Sequence, residues 1–104
     1  MADYVRVGSV SDFEDGIIYR YEVDGEQVAV VSWRERFYAF SDHCTHWGVS
    51  LTQGYITGAN EIVCMYHFAA FDMASGAVLD GPAMDDLPVY DIRVDGEDVL
   101  VATN

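Results

Sequence analysis

Between Ser41 and Phe68 the chain reads SDHCTHWGVSLTQGYITGANEIVCMYHF, and within it Cys44 and His46 stand one residue apart, Cys64 and His67 two residues apart. Seventeen residues separate the two pairs. Thiolate sulfur and imidazole nitrogen are good ligands for iron and zinc, and close pairs carried on two facing loops can converge on one centre. The stretch is rich in Gly and shows only short β-like runs, such as EIVC ending at Cys64. It reads as a site built from loops.

On both sides of it the pattern changes to sheet. Ile17 to Val23 (IIYRYEV) and Gln27 to Trp33 (QVAVVSW) flank Asp24-Gly25-Glu26, a hairpin signal because Gly tolerates the positive φ of tight turns. Arg36 to Phe40 continues the meander. Toward the end, Val89 to Val94 and Asp98 to Ala102 flank a second turn, Asp95-Gly96. AAFDM (Ala69 to Met73) and AVLD (Ala77 to Asp80), joined by Ala74-Ser75-Gly76, read as a small hairpin of their own. Helical periodicity is absent apart from a turn expected at Asp12 to Asp15 or at Ala83 to Leu87. The expected fold is all-β: an antiparallel β-sandwich or barrel carrying a small inserted subdomain of loops and short strands. At 104 residues, one domain over 1–104 is expected, with a base sheet at about 1–41 and 88–104 and the inserted subdomain at about 42–87.

Composition narrows the function. Eighteen acidic residues face five basic ones, all Arg, for a formal net charge of −13, so nucleic acid is a poor partner. Such a field keeps the chain in solution and speeds encounters with a basic protein face. The cluster Asp80, Asp85, Asp86, Asp91, Asp95, Glu97 and Asp98, interrupted by Arg93, reads most simply as a solvated edge, with docking to a basic partner as the second reading. MADYVRVGSV has neither the basic nor the apolar region of a secretion signal, and no stretch reaches the ~18 apolar residues of a membrane span. A cytoplasmic location without membrane attachment is expected. In that reducing compartment the two cysteines are expected to act as thiolates and not as a disulfide.

Cys-x-His followed by Cys-x-x-His resembles the ligand pattern of Rieske proteins, in which one iron is held by two Cys and the other by two His. CTHWGVSL (Cys44–Leu51) is similar to the family's first cluster loop, CMYHFAAFDMASGAVLDGP (Cys64–Pro82) to its second loop and following hairpin, and GPAMDDLP (Gly81–Pro88) to its proline loop. The resemblance implies one [2Fe–2S] cluster, with Cys44 and Cys64 on one iron and His46 and His67 on the other. In length the chain resembles the stand-alone ferredoxins of bacterial aromatic-ring-hydroxylating dioxygenases of the biphenyl, naphthalene and carbazole type. That implies a one-electron carrier between an NAD(P)H-dependent flavoprotein ferredoxin reductase and a terminal Rieske non-haem iron oxygenase, docking transiently near His46 and His67. No catalytic residue is expected, and no histidine follows His67 from which a two-His-one-carboxylate iron site could be built.

Departures from the family pattern carry information. Met65 and Phe68 stand where the family usually has Pro and Gly, which bears on loop geometry. Respiratory-chain members have loop cysteines where this chain has Val49 and Tyr66, and Ser and Tyr hydroxyls where it has Ala69 and Phe71. Hydrogen bonds to cluster sulfur raise the potential, so a value low in the ~−150 to +300 mV Rieske range is expected. His43 falls outside the motif and reads as a loop hydrogen-bonder; Trp47 and Phe68 read equally as cluster shields or as packing. Two other functions share parts of the signal. The small subunit of assimilatory nitrite reductase resembles Rieske domains but commonly lacks the ligands. A zinc-stabilised binding module accepts the same side chains, yet zinc sites usually group Cys with Cys and His with His.

Overall fold

A computed structural model describes residues 4–42, 51, 54–64, 69–80 and 86–103. Among these there is no α-helix, and two antiparallel sheets account for the regular structure. The larger sheet has six strands: β1 (Val5–Ser9), β2 (Ile18–Val23), β3 (Glu26–Trp33), β4 (Arg36–Ser41), β9 (Val89–Asp95) and β10 (Asp98–Ala102), in the order β1-β10-β9-β4-β3-β2. The smaller sheet has four: β5 (Tyr55–Ile56), β6 (Glu61–Val63), β7 (Ala70–Asp72) and β8 (Val78–Asp80), in sequence order. The expected all-β class and the strands read from β-branched runs are therefore present, whereas β1 and β5 carry no local signal of their own.

The run Val28-Ala29-Val30-Val31 in β3 is buried throughout, and strand geometry explains why it is apolar without alternation. Val28 and Val30 face a core with Phe13, Val23, Ala39, Val99 and Val101, inside the curled, nearly closed large sheet. Phe13 lies edge-on to the rings of Tyr19 and Phe37, 5.2 and 5.6 Å away. Ala29 and Val31 face the opposite way, into a second core with Phe40, Leu51, Ile62, Cys64, Ala69, Phe71, Met73 and Leu87. That second core joins the two sheets. Each large side chain in it contributes about 1.5–3 kcal/mol through its removal from water.

The β3–β4 turn fastens the small sheet. Arg34 and Glu35 both have positive φ, 51° and 68°. Trp33 Nε1 donates to Asn60 Oδ1 at 2.9 Å, and Arg34 donates through Nη1 to the Gly58 carbonyl at 3.1 Å while its guanidinium lies 5.1 Å over the Trp33 ring. Both acceptors lie in the turn that leads into β6.

Among the described residues a helical turn is found at Val10–Asp12, starting two residues earlier than expected. Asp12 closes the turn where it was expected to open one, because its carboxylate accepts the Ser9 N–H at 2.9 Å. Asp15 is held elsewhere, bridging to Ser32 and accepting the Arg34 N–H. The alternative at Ala83 to Leu87 falls largely outside the described residues; Asp86 and Leu87 have no regular structure.

Candidate metal centre

Strand β4 ends just before the first pair of candidate ligands. The Ser41 N–H donates to the Pro88 carbonyl at 2.9 Å and the Asp42 N–H to the Gln27 carbonyl at 3.0 Å, so this end of β4 is tied to β3 on one side and to the start of β9 on the other. The Tyr90 phenol, beside Ser41, titrates above its ordinary value because of burial and then the Glu26 charge, and remains a neutral hydroxyl at neutral pH. The Asp42 carbonyl accepts the Leu51 N–H at 2.9 Å, which draws together the two ends of the segment carrying Cys44 and His46. Leu51, fully buried, anchors the far end in the core between the sheets.

The two ends of the segment carrying the second pair are drawn together in the same manner. Strands β6 and β7 pair through Val63↔Ala70, and the Cys64 N–H donates to the Ala69 carbonyl at 2.8 Å. Four residues, 65–68, lie between the two, His67 among them. The Cys64 side chain is 1 % exposed and belongs to the same core as Leu51 and Ala69, so the mouths of both segments meet in one buried place. Gly54 makes this approach possible: a Cβ there would stand 2.1 Å from the Val63 carbonyl oxygen, one residue before Cys64.

Of the four sequence-derived ligands, Cys64 is placed, and Cys44, His46 and His67 lie outside the described residues, as do His43, Trp47, Val49, Met65, Tyr66 and Phe68. Among the described residues, no three Cys, His, Asp or Glu side chains converge on a point. Ala69 and Phe71 are fully buried beside Cys64, and neither offers a hydroxyl. The acidic cluster is partly paired: Asp98 meets Arg6 Nε at 2.8 Å, Asp91 accepts the Tyr4 hydroxyl at 2.9 Å, and Asp86 accepts the Val78 N–H at 2.9 Å. Arg6, distant in sequence, thus joins Arg93 among the cations near this edge. A cleft of about 220 Å³ between β4, β9 and Met73 is lined by aliphatic and aromatic residues with Asp91, without thiol or imidazole.

The donor chemistry fits an iron–sulfur group. A thiol at the apolar end of a hairpin, with the chain held closed behind it by a main-chain bond, offers a soft ligand in a water-poor setting. The sequence missed one residue at this place, Asp42, which is the one fully buried charged residue among the described residues.

Comparison with known proteins agrees with this geometry. The profile of the Rieske [2Fe-2S] domain matches residues 3–91. The chain is 32% identical over 98 residues to the biphenyl dioxygenase ferredoxin subunit of Pseudomonas sp. (strain KKS102), covering 94% of this chain and 90% of that one. The ferredoxin of carbazole 1,9a-dioxygenase from Nocardioides aromaticivorans IC177 superposes with a TM-score of 0.94 at 33% identity, covering 99% of this chain and all of that one. A ferredoxin-like match within a complex of reduced oxygenase and oxidized ferredoxin in carbazole 1,9a-dioxygenase has a TM-score of 0.88 at 33% identity, over 95% of this chain and 92% of the other. The chain belongs to the Rieske [2Fe–2S] domain family, and one such cluster is its cofactor.

Proposed function

We propose that this chain is the cytoplasmic, single-domain electron carrier of an aromatic-ring-hydroxylating dioxygenase system. It takes one electron at a time from an NAD(P)H-dependent flavoprotein reductase and passes it to the terminal oxygenase. Cys44 and Cys64 hold one iron and His46 and His67 the other, with transient docking near the two histidines. When bound, the cluster supplies a single reversible electron. The chain's own residues do the rest: β4 and the Asp42–Leu51 bond hold the first ligand segment, and the β6–β7 hairpin holds the second. The buried core around Cys64 keeps water from the sulfur side.

The observation that carries the reading is the shared buried mouth of the two ligand segments, with Cys64 inside it. The names of the relatives support the assignment to a dioxygenase system, and the oxygenase–ferredoxin complex supports a terminal oxygenase as the partner. Among the described residues no helix is long and apolar enough to cross a membrane.

A reconstituted assay tests the proposal. With NADH, a flavoprotein reductase and an aromatic-ring oxygenase, adding the loaded chain is expected to restore product formation and to show bleaching of its visible absorbance before turnover. Transfer to a nitrite reductase flavoprotein with none to the oxygenase would replace this reading with the nitrite reductase one. A colourless protein with one zinc and no acid-labile sulfide would end it.

The low potential has its own test. Ala69 is fully buried one residue past the second ligand segment, so Ala69→Ser places a hydroxyl there with no water to satisfy it. Protein-film voltammetry is expected to show an upward shift within the ~−150 to +300 mV Rieske window. Unfolding is expected to become easier by about 1 kcal/mol or more if the new hydroxyl finds no partner.

A further inference from the structure

Asp42 closes β4 and stands two residues before Cys44. Its side chain is 0 % exposed, and one carboxylate oxygen lies 3.7 Å from Arg20 Nη1 on the edge strand β2. The Arg20 side chain is 56% exposed, so the pair has one end in the core and the other in water.

Register shows how the arginine reaches it. Arg20 is opposite Ala29 on β3, and Ala29 is opposite Phe40 on β4, so all three side chains rise from one face. Asp42, two residues beyond Phe40, continues on that face. Arg20 therefore crosses β3 diagonally, and it can do so because the residue beneath it is alanine. A larger side chain at 29 would fill the path. The Asp42 main chain is engaged on both sides, its N–H to Gln27 and its carbonyl to Leu51. Rotation of this residue would open the mouth of the first ligand segment.

A buried carboxylate costs several kcal/mol unless a positive charge and hydrogen bonds compensate it. The exposed edge strand supplies that charge without burying a second one. We propose that Arg20 and Asp42 are a positioning pair for the first cluster segment: Asp42 holds the segment's mouth closed, and Arg20 keeps Asp42 in place and offsets its negative charge near the iron site. The inference rests on the proposed ligation by Cys44 and His46.

Four full-length, cluster-loaded proteins test it: wild type, Arg20→Gln, Arg20→Lys and Asp42→Asn. Iron and acid-labile sulfide are measured first. A wild type without them overturns the ligand reading and this inference together. Given a loaded wild type, two readouts decide the pair alone. By hydrogen exchange and mass spectrometry, the peptide containing the Leu51 amide is expected to exchange about threefold to tenfold faster in Arg20→Gln, with Arg20→Lys close to wild type. By voltammetry, Arg20→Gln is expected to lower the potential and Asp42→Asn to raise it, each by about threefold to tenfold in the equilibrium constant for accepting an electron, where tenfold is 59 mV for one electron. Opposite signs distinguish a charge pair from general loosening, which moves both variants the same way. Wild-type exchange and potential in Arg20→Gln, or shifts of like sign in the two neutral variants, would overturn the proposal. Arg20 is largely solvated, so its variants keep the decision available even if Asp42→Asn does not fold.

Discussion

Cys64→Ala is expected to yield a folded, colourless protein. The Cys64 main chain makes its bond to the Ala69 carbonyl whatever the side chain, so the β6–β7 hairpin and the mouth of the second segment persist. Alanine is tolerated at the neighbouring buried positions 69 and 70, and losing one sulfur from the core leaves only a small void. On the proposed ligation the cluster is expected to be lost, because removing the Cys64 thiolate leaves one iron with a single protein ligand. Changes to residues that merely support metal ligands already cost about 10–100-fold in metal affinity, and loss of a ligand exceeds that. Iron and acid-labile sulfide per chain, visible absorbance and the EPR signal of the dithionite-reduced sample check this together, with far-ultraviolet circular dichroism reporting the fold. Wild-type iron and sulfide in Cys64→Ala would remove this residue from the ligand set.

Gly76→Ala is expected to be the most damaging of the conservative substitutions. Gly76 has φ +78°, and a Cβ there would sit 1.9 Å from the Leu87 carbonyl oxygen and 3.0 Å from the Leu87 carbonyl carbon and Val89 Cγ1. Its N–H donates to the Asp72 carbonyl and its own carbonyl accepts the Leu87 N–H, both at 2.7 Å, so the turn cannot move away without breaking one of them. Displacing the segment 86–88 also costs the burial of Leu87 and the bond from the Val78 N–H to Asp86. Left-handed strain, one lost buried hydrogen bond and partial exposure of a leucine amount to about 3–5 kcal/mol. For a domain of this size that lowers Tm by roughly 15–30 °C. Gly25→Ala is the matched control. It has nearly the same φ, +82°, but nothing stands within 4 Å of its Cβ position, so the expected loss is about 1 kcal/mol. Equal melting curves for the two variants would show that the contact with Leu87 is not the cause.

The two glycines show how far reading the chain could go. Gly25 and Gly96 lie in hairpin turns because Asp-Gly pairs prefer positive φ, a local property that any reader of the chain can use. The need for glycine at 76 and at 54 comes from carbonyl oxygens eleven and nine residues away, and no window of sequence contains it. The β3–β4 turn is the opposite case, with positive φ at Arg34 and Glu35. Arg34 holds that geometry through its Trp33 stacking, Gly58 and Asp15, all contacts made only in the fold.

At the proposed metal centre, the candidate ligands Cys44, His46, Cys64 and His67 stood out in the sequence as a motif because ligand pairs on tight loops must lie close in the chain. The same is true of the missing hydroxyls at Ala69 and Phe71. Asp42 was not legible. In the sequence it is one of eighteen acidic residues, and its burial depends on β4 ending there, on alanine at 29 and on an arginine one strand further out.

The sequence alone determined the β class and the long strands and supplied the candidate ligand motif, since side-chain alternation, turn chemistry and ligand spacing act over a few residues. Tertiary structure alone decided which faces of β3 serve which core, how β1 and β5 pair, where the two ligand segments close and what lies beneath the first of them. Those features are set by strand register and close packing between residues far apart in the chain, and they exist only once the sheets have met.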